Sequence, residues 1–91
     1  MSWAVRYTET AAKAIKKLDP TVRKRVRGAI DALREDPHRG KPLQLTLKGL
    51  YSWRTGDWRI VYRIETRRIK ILVVTVGHRR EVYTRLRSLL R

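Results

Sequence analysis

A strict alternation of side chains in Trp58–Glu65 is the feature that most constrains the fold of this 91-residue chain. Large apolar residues at every second position alternate with a set that is mostly charged, which is the period of a β-strand with one buried face. Gly56-Asp57 precedes this strand and is typical of a two-residue hairpin turn with glycine at its first central position. We therefore expect Leu50–Thr55 to pair with it as an antiparallel partner.

The predicted turn places Arg54 directly opposite Arg59, although like charges at facing positions destabilise a sheet. If a second two-residue turn at Thr66-Arg67 leads into a strand at Arg68–Val76, counting residues across the turns divides the three strands into two faces. One face carries aromatic and branched side chains in cross-strand rows: Trp53–Ile60–Val73, Tyr51–Tyr62–Ile71 and Ile64–Ile69. The other face is half apolar and half cationic: Ser52–Val61–Leu72, Arg54–Arg59–Val74 and Arg63–Lys70.

The remaining segments predict helices before and after these strands. Trp3–Tyr7 alternates like a short strand, and apolar residues at helical spacing follow it. Thr8 lies between them and can cap this first helix. Asp19-Pro20 is typical of the start of a second helix, which Pro37 ends. The stretch 38–49, which contains Gly and Pro, is expected to be mainly loop, and residues 81–90 a short C-terminal helix.

Together these elements predict an α+β fold in one domain spanning residues 1–91. We expect a small antiparallel sheet of about four strands, with the N-terminal helix hairpin packed on its aromatic face and a short helix at the C-terminus. The aromatic side chains are then core residues rather than a stacking platform for nucleic acid bases.

The charge balance is strongly basic, with 23 Lys and Arg residues against 8 Asp and Glu, a formal net charge of +15 and a pI of about 11.4. Such a balance favours a polyanionic partner, and a nucleic acid fits better than a membrane because no helix pairs a basic face with a lipid-seeking one. The absence of cysteine excludes a disulfide framework, a thiolate zinc site and a cysteine nucleophile. Since we find no signal peptide and no apolar run longer than Ile71–Val74, we expect a cytoplasmic protein.

A cationic end of the sheet is the candidate site. If the third strand ends at Val76, residues 77–83 leave the sheet beside Arg54 and Arg59, with Gly77 giving the backbone freedom to turn. Arginine forks match phosphate oxygens in two-point geometry, so this end of the sheet suits an RNA or DNA backbone. The side chains brought together there are Arg54, Arg59, His78, Arg79, Arg80 and Tyr83.

Other uses of the surface cations are open at this point. Asp57, Glu65 or Glu81 could neutralise the cluster as ordinary surface ion pairs. Lys and Arg residues that lie off the apolar stripe of the second helix also give that helix a basic outer face.

Two segments carry a resemblance to a known family: LKGLYSWRTGDWRIVYRI (residues 47–64) and VGHRREVY (residues 76–83). They resemble the RelE/ParE superfamily of bacterial and archaeal toxins, and within it the RelE mRNA interferase branch, whose layout fits the whole chain. The resemblance implies a toxin of a type II toxin–antitoxin system that is neutralised by an acidic, RelB-like antitoxin. It further implies cleavage of mRNA in the A site of the 70S ribosome, which inhibits translation.

The reaction that the resemblance implies uses no metal and no other cofactor. The 2′-hydroxyl of the RNA attacks the adjacent phosphate and leaves a 2′,3′-cyclic phosphate and a 5′-hydroxyl. Ser52 and Arg54 stand where RelE has two lysines on the strand before the turn, and Arg59 matches the arginine of the next strand. Arg79 and Tyr83 match the arginine and the tyrosine that follow the sheet.

Arginine does not deprotonate in proteins, so Arg54 and Arg59 are expected to stabilise the charge that develops on the phosphorane. Arg79 would hold the phosphate or the leaving oxygen, and either Tyr83 or His78 would transfer the proton. The further residues expected to bind RNA are Ser52, Lys48, Arg63, Arg80, Arg23, Lys24 and Arg27. Two alternatives stay open: a ParE-like inhibitor of DNA gyrase with the same fold, and a non-catalytic RNA-binding relative.

Overall fold

The computed structural model describes residues 2–44, 47, 49–78 and 81–89 and, within the last helix, the side chains of residues 81–84 and 86. The elements in chain order are β1 (Ala4–Tyr7), α1 (Glu9–Lys16), α2 (Pro20–Glu35), β2 (Lys41–Pro42), β3 (Tyr51–Thr55), β4 (Trp58–Glu65), β5 (Lys70–His78) and α3 (Glu81–Leu89). Short 3₁₀ turns at Pro37–Arg39 and Thr66–Arg68 precede β2 and β5.

The strands of the described residues form one sheet in the order β1-β5-β4-β3-β2. β1 lies parallel to β5, although we expected an antiparallel sheet, and the other neighbours pair antiparallel. The predicted α+β fold class is confirmed, with five strands because Lys41–Pro42, which we expected as loop, pairs with Tyr51 and Ser52 at the sheet edge. Two residues are too few to show a period, so no alternation marks β2 in the sequence.

The two N-terminal helices begin where the capping residues predict. The Thr8 hydroxyl accepts a hydrogen bond from the Ala11 N–H (3.1 Å), and the Asp19 carboxylate accepts one from the Val22 N–H (3.1 Å). Each such cap contributes about 0.5–2 kcal/mol to stability. None of the helices in the described part of the chain is long and apolar enough to cross a membrane.

The sheet separates the buried apolar side chains into two clusters, and helices cover one cluster on each face. α1 and α2 cover the aromatic face, as predicted, and its buried members are Ala11, Leu18, Val26, Ile30, Leu33, Ile60, Tyr62, Ile71, Val73 and Val76. α3 covers part of the other face through a smaller cluster: Leu47, Leu50, Val61, Val82 and Leu86. Burying one large apolar side chain contributes about 1.5–3 kcal/mol, so the larger cluster supplies most of the apolar stabilisation. The smaller cluster holds α3 beside the cationic side chains.

The β3–β4 hairpin has the predicted turn and register. Gly56 has a φ of 61°, the left-handed value that a primed turn requires at its first central position. Arg54 lies opposite Arg59, and Thr55 lies opposite Trp58. The facing arginines are therefore a feature of the folded protein.

The predicted turn between β4 and β5 is wrong. A 3₁₀ turn, followed by Ile69 in the left-handed conformation (φ 51°), replaces the two-residue turn at Thr66-Arg67. This connection takes up more residues, so β5 occupies Lys70–His78 instead of Arg68–Val76. The strand therefore extends past the point where we expected the chain to leave the sheet.

A register irregularity adds to this displacement. Tyr62 pairs with Val73, and the pairs beyond it are shifted by one further residue, which puts Gly77 opposite Arg59. The role expected for Gly77 also changes, because its φ is not left-handed. A Cβ at this position would lie 2.9 Å from the Val82 Cβ, so Gly77 allows α3 to approach the sheet.

Candidate nucleic-acid interface

A cleft of about 310 Å³ lies on the sheet face that α3 partly covers. Four cationic side chains and four other residues line this cationic cleft: Arg39, Lys41, Arg54, Arg59, Leu43, Ser52, Trp53 and Tyr83. No carboxylate is among the described residues that line it. The cations repel one another until a negative group enters, so the cleft suits an anion.

The two facing arginines line this cleft from neighbouring strands. Arg54 is exposed and Arg59 is half-buried. The ion pairs found among the described residues join carboxylates to Lys13, Arg34 and His78. Surface ion pairs within the described chain therefore do not account for this pair of like charges.

The Arg59 guanidinium packs near an aromatic ring and keeps one donor uncommitted. Its Cζ lies 5.8 Å from the centroid of the Tyr83 ring, within the range of a cation–π interaction. Its Nε is buried and has no hydrogen-bond acceptor in the described part of the chain. A buried donor without a partner costs about 1–3 kcal/mol. The cleft thus contains a guanidinium fork that the protein itself leaves only partly satisfied.

Ser52 fixes the phenol of Tyr83 at the cleft. The two hydroxyl oxygens are 2.8 Å apart and share a hydrogen bond in which either group can donate. Ser52 is only 8% exposed and lies two residues before Arg54 on β3. Ser52 therefore lines the cleft, but its hydroxyl is committed to Tyr83 and ties α3 to the sheet.

His78 does not lie in the cationic cleft, and its predicted position was wrong. His78 is the last residue of β5, so it still belongs to the sheet and pairs with Trp58 of β4. Its ring makes an edge contact with Trp58 (centroids 5.1 Å apart), and its Nε2 is 3.9 Å from an Asp57 carboxylate oxygen. Trp58 packs against the helix-covered core, so His78 lies on the opposite face of the sheet from Arg59.

Three predicted site residues lie outside the described residues: Lys48, Arg79 and Arg80. Arg63 is exposed on the same face of β4 as Arg59, but it lies opposite Leu72 rather than Lys70. Four residues of strand span about 13 Å, and Arg63 does not line the cleft. The described residues also contain no group of three or more His, Cys, Asp and Glu side chains that could hold a metal ion.

The predicted basic face of α2 lies across the sheet from the cleft, because α2 packs on the aromatic face. Lys24 and Arg27 are exposed there. Arg23 has a structural role instead, because its guanidinium donates to main-chain oxygens at the end of α1. The acceptors are the carbonyls of Ile15 (3.4 Å), Lys16 (3.0 Å) and Leu18 (2.9 Å).

Arg39 and Lys41 are the cationic residues of the cleft that sequence reasoning missed. They flank Gly40, and Tyr62 explains why this segment is held against the sheet. The buried Tyr62 hydroxyl donates to the Pro37 carbonyl (2.6 Å) and accepts from the Gly40 N–H (3.0 Å). Burial raises the pKa of Tyr62 to about 12. A Cβ on Gly40 would overlap the phenol oxygen, so only glycine fits at this position.

Comparison with known proteins gives concordant matches. The family described as ParE toxin of type II toxin-antitoxin system, parDE, matches residues 5–83. Toxin RelG of Mycobacterium tuberculosis is 37% identical over 87 residues, which cover 93% of this chain and 100% of that protein. A chain of the toxin-antitoxin complex RelBE2 from the same organism superposes with a TM-score of 0.82 at 34% identity, over 87% of this chain and 93% of that chain. The isolated E. coli RelE toxin shares the fold, with a TM-score of 0.75 at 22% identity over 99% of this chain and 100% of that chain.

Proposed function

The chain belongs to the RelE/ParE superfamily of type II toxin–antitoxin toxins, and we propose that it is a ribosome-dependent endoribonuclease that cleaves mRNA in the A site. The observation that carries this proposal is the cationic cleft, in which two facing arginines and a phenol meet and no described carboxylate is present. Such a set of groups suits an RNA phosphate, because it offers several charged donors and a hydroxyl for proton transfer. The identity with toxin RelG over most of the chain supports the Rel branch of the superfamily.

In the proposed reaction, the 2′-oxygen of the RNA attacks the adjacent phosphorus while the bond to the 5′-oxygen breaks. The 2′-hydroxyl loses a proton and the leaving 5′-oxygen gains one, so the products are a 2′,3′-cyclic phosphate and a 5′-hydroxyl. Arg54 and Arg59 donate to the non-bridging oxygens, where negative charge increases in the phosphorane. Both guanidinium groups stay protonated, so their contribution is electrostatic.

Tyr83 is the proposed proton-transfer group. Its hydroxyl lies at the cleft, hydrogen-bonded to Ser52 and beside Arg59. A phenol held in this position can donate its proton to the leaving 5′-oxygen. His78, the other candidate from the sequence, lies across the sheet and has no part in the proposal. Arg79 stays in the proposal as a further hydrogen-bond donor to the phosphate, because the resemblance assigns it that role.

An acidic antitoxin is the proposed protein partner. The similar RelBE2 structure is a toxin–antitoxin complex, and a net charge of +15 favours an acidic chain. A segment that orders as it binds can cover a large cationic surface. On the remaining surface, the exposed cations Arg63, Lys24 and Arg27 are proposed contacts for ribosomal RNA.

A ParE-like inhibitor of DNA gyrase is the second candidate, because the family that matches residues 5–83 is described as a ParE toxin. Such a protein would share the fold but would leave translated mRNA intact. It would instead inhibit DNA supercoiling by purified gyrase.

Primer extension on a message translated by purified ribosomes tests the proposal. The wild type should cut inside codons, and Arg59→Ala should reduce the cleavage rate by about 10²–10³, the usual cost of losing one transition-state donor. Tyr83→Phe should cost about 10²–10⁴ because it removes the proton-transfer group. Both variants should keep the fold, which circular dichroism checks.

Arg67→Ala is the matched control, because it removes an equal charge from an exposed position at the other end of β4. It should cleave like the wild type. An equal loss in this control would show a general effect of charge and would refute the site assignment. Intact mRNA together with inhibited supercoiling would establish the second candidate instead.

A further inference from the structure

We propose that Lys41 is a further RNA-binding residue of the cationic cleft and holds the backbone phosphate next to the one bound by Arg54 and Arg59. This role rests on the proposed function, which supplies the ligand, a single-stranded RNA. Three features support it: the register of β2, the anchoring of its backbone, and the charges around its side chain.

The register of β2 places Lys41 on the cleft face. Lys41 pairs with Ser52 across the sheet edge, and directly opposed residues project to the same face. The Ser52 hydroxyl is bonded to Tyr83 at the cleft, so Lys41 lies on that face too. Arg54 is the diagonal neighbour of Lys41 at about 7–8 Å, a separation that two long side chains span easily. One RNA strand can therefore contact both cations.

The backbone that carries Lys41 is anchored on both sides. On one side, the Gly40 N–H donates to the buried Tyr62 hydroxyl (3.0 Å). On the other side, the Leu43 N–H donates to the Leu50 carbonyl (2.8 Å). The position of Lys41 is thus fixed when the chain folds, which lowers the ordering cost of binding a ligand.

The charges around Lys41 leave its ammonium free for a phosphate. Lys41 is exposed, and no ion pair joins it to an acid among the described residues. The described lining of the cleft contributes three other cations and no carboxylate. An ammonium binds phosphate as a point charge without strict geometry, which fits a position that holds the strand rather than the reacting atoms.

The salt dependence of RNA binding tests this role. A 2′-O-methyl oligonucleotide, which lacks the attacking hydroxyl, is titrated with wild type and with Lys41→Gln by fluorescence anisotropy between 50 and 200 mM salt. Each single-strand phosphate contact contributes about 0.7 to the slope of log K against log salt. Lys41→Gln should reduce the steepness of this slope by about 0.7. When the salt rises from 50 to 200 mM, the RNA affinity of the variant should therefore fall about 2.6-fold less than that of the wild type.

Two controls separate position from charge. Lys17→Gln removes an equal charge from an exposed residue at the end of α1, across the sheet, and should keep the wild-type slope. Lys41→Arg should also keep it. In the ribosome assay, Lys41→Gln should raise KM with little change in kcat, because the neighbouring phosphate is bound equally in the ground state and the transition state.

The outcomes distinguish this role from the proposed function. An unchanged slope for Lys41→Gln, an equal drop for Lys17→Gln, or no measurable binding of the oligonucleotide by the wild type overturns the role of Lys41. A slope that depends on Lys41 in a protein that leaves translated mRNA intact supports the role of Lys41 and refutes the proposed nuclease activity.

Discussion

Replacing Tyr62 by Phe should destabilise the fold by about 2 kcal/mol. The change keeps the fully buried ring and removes the hydroxyl that donates to Pro37 and accepts from Gly40. Each lost hydrogen bond contributes about 0.5–1.5 kcal/mol net, and both partners are main-chain groups of buried residues. For a domain of about 60–100 residues, each 1 kcal/mol shifts Tm by about 4–8 °C, so Tm should fall by about 8–16 °C.

The same hydroxyl predicts how the effect changes with pH. Burial raises the pKa of Tyr62 from 10.0 to about 12, so the folded protein keeps this proton where the unfolded chain loses it. The folded state then binds more protons than the unfolded state, and stability falls as the pH rises. The contribution of this phenol is therefore complete below pH 10 and declines toward pH 12. Phe lacks this contribution, so the difference between the two proteins should shrink over that range.

Urea unfolding at pH 8 and at pH 11 measures both effects. Tyr51→Phe is the matched control, because Tyr51 stacks on Tyr62 (centroids 5.7 Å apart) and its hydroxyl makes none of the hydrogen bonds found among the described residues. The control should change stability by less than about 0.5 kcal/mol. An unchanged midpoint for Tyr62→Phe at pH 8, or a difference that is equally large at pH 11, would refute the reasoning.

Two other substitutions test the geometry of the sheet. Gly77→Ala puts a Cβ 2.9 Å from the Val82 Cβ and should cost about 1–3 kcal/mol in urea unfolding, whereas a neutral result would mean that α3 does not pack there as described. His78→Ala should keep the rate of mRNA cleavage within about tenfold of the wild type, because His78 lies across the sheet from Arg59. A rate loss of about 10²–10⁴ would instead indicate that His78 is the proton-transfer group.

Predictions that rest on a capping residue or on a turn glycine were confirmed. The caps at Thr8 and Asp19 involve residues only three positions apart. The turn at Gly56 fixes the pairs beside it, so Arg54 meets Arg59 as expected. In each case a short local pattern determines the structure, because few competing arrangements satisfy the same backbone groups.

Predictions that counted across longer distances failed where the backbone departed from regular pairing. A 3₁₀ turn and one register irregularity moved β5 along β4, which sent His78 to the face opposite the one we expected. Lys41 was missed because its strand has two residues and is held by Tyr62, a residue 21 positions away. The signal available in the sequence was the triplet Arg39-Gly40-Lys41 ahead of β3, because two cations flank a glycine there.

Because Arg54 and Arg59 repel each other, the protein should unfold more easily without an anionic ligand in the cleft than with one. A ligand that fills the cleft at about 100 times its Kd would stabilise the fold by about 2.7 kcal/mol, whether it is a nucleic acid or an acidic chain. Replacing Arg54 with a neutral residue would remove the repulsion without any ligand. Selection for variants that have lost toxicity should therefore recover stable, well-folded proteins with substitutions at Arg54 or Arg59 as readily as unfolded ones.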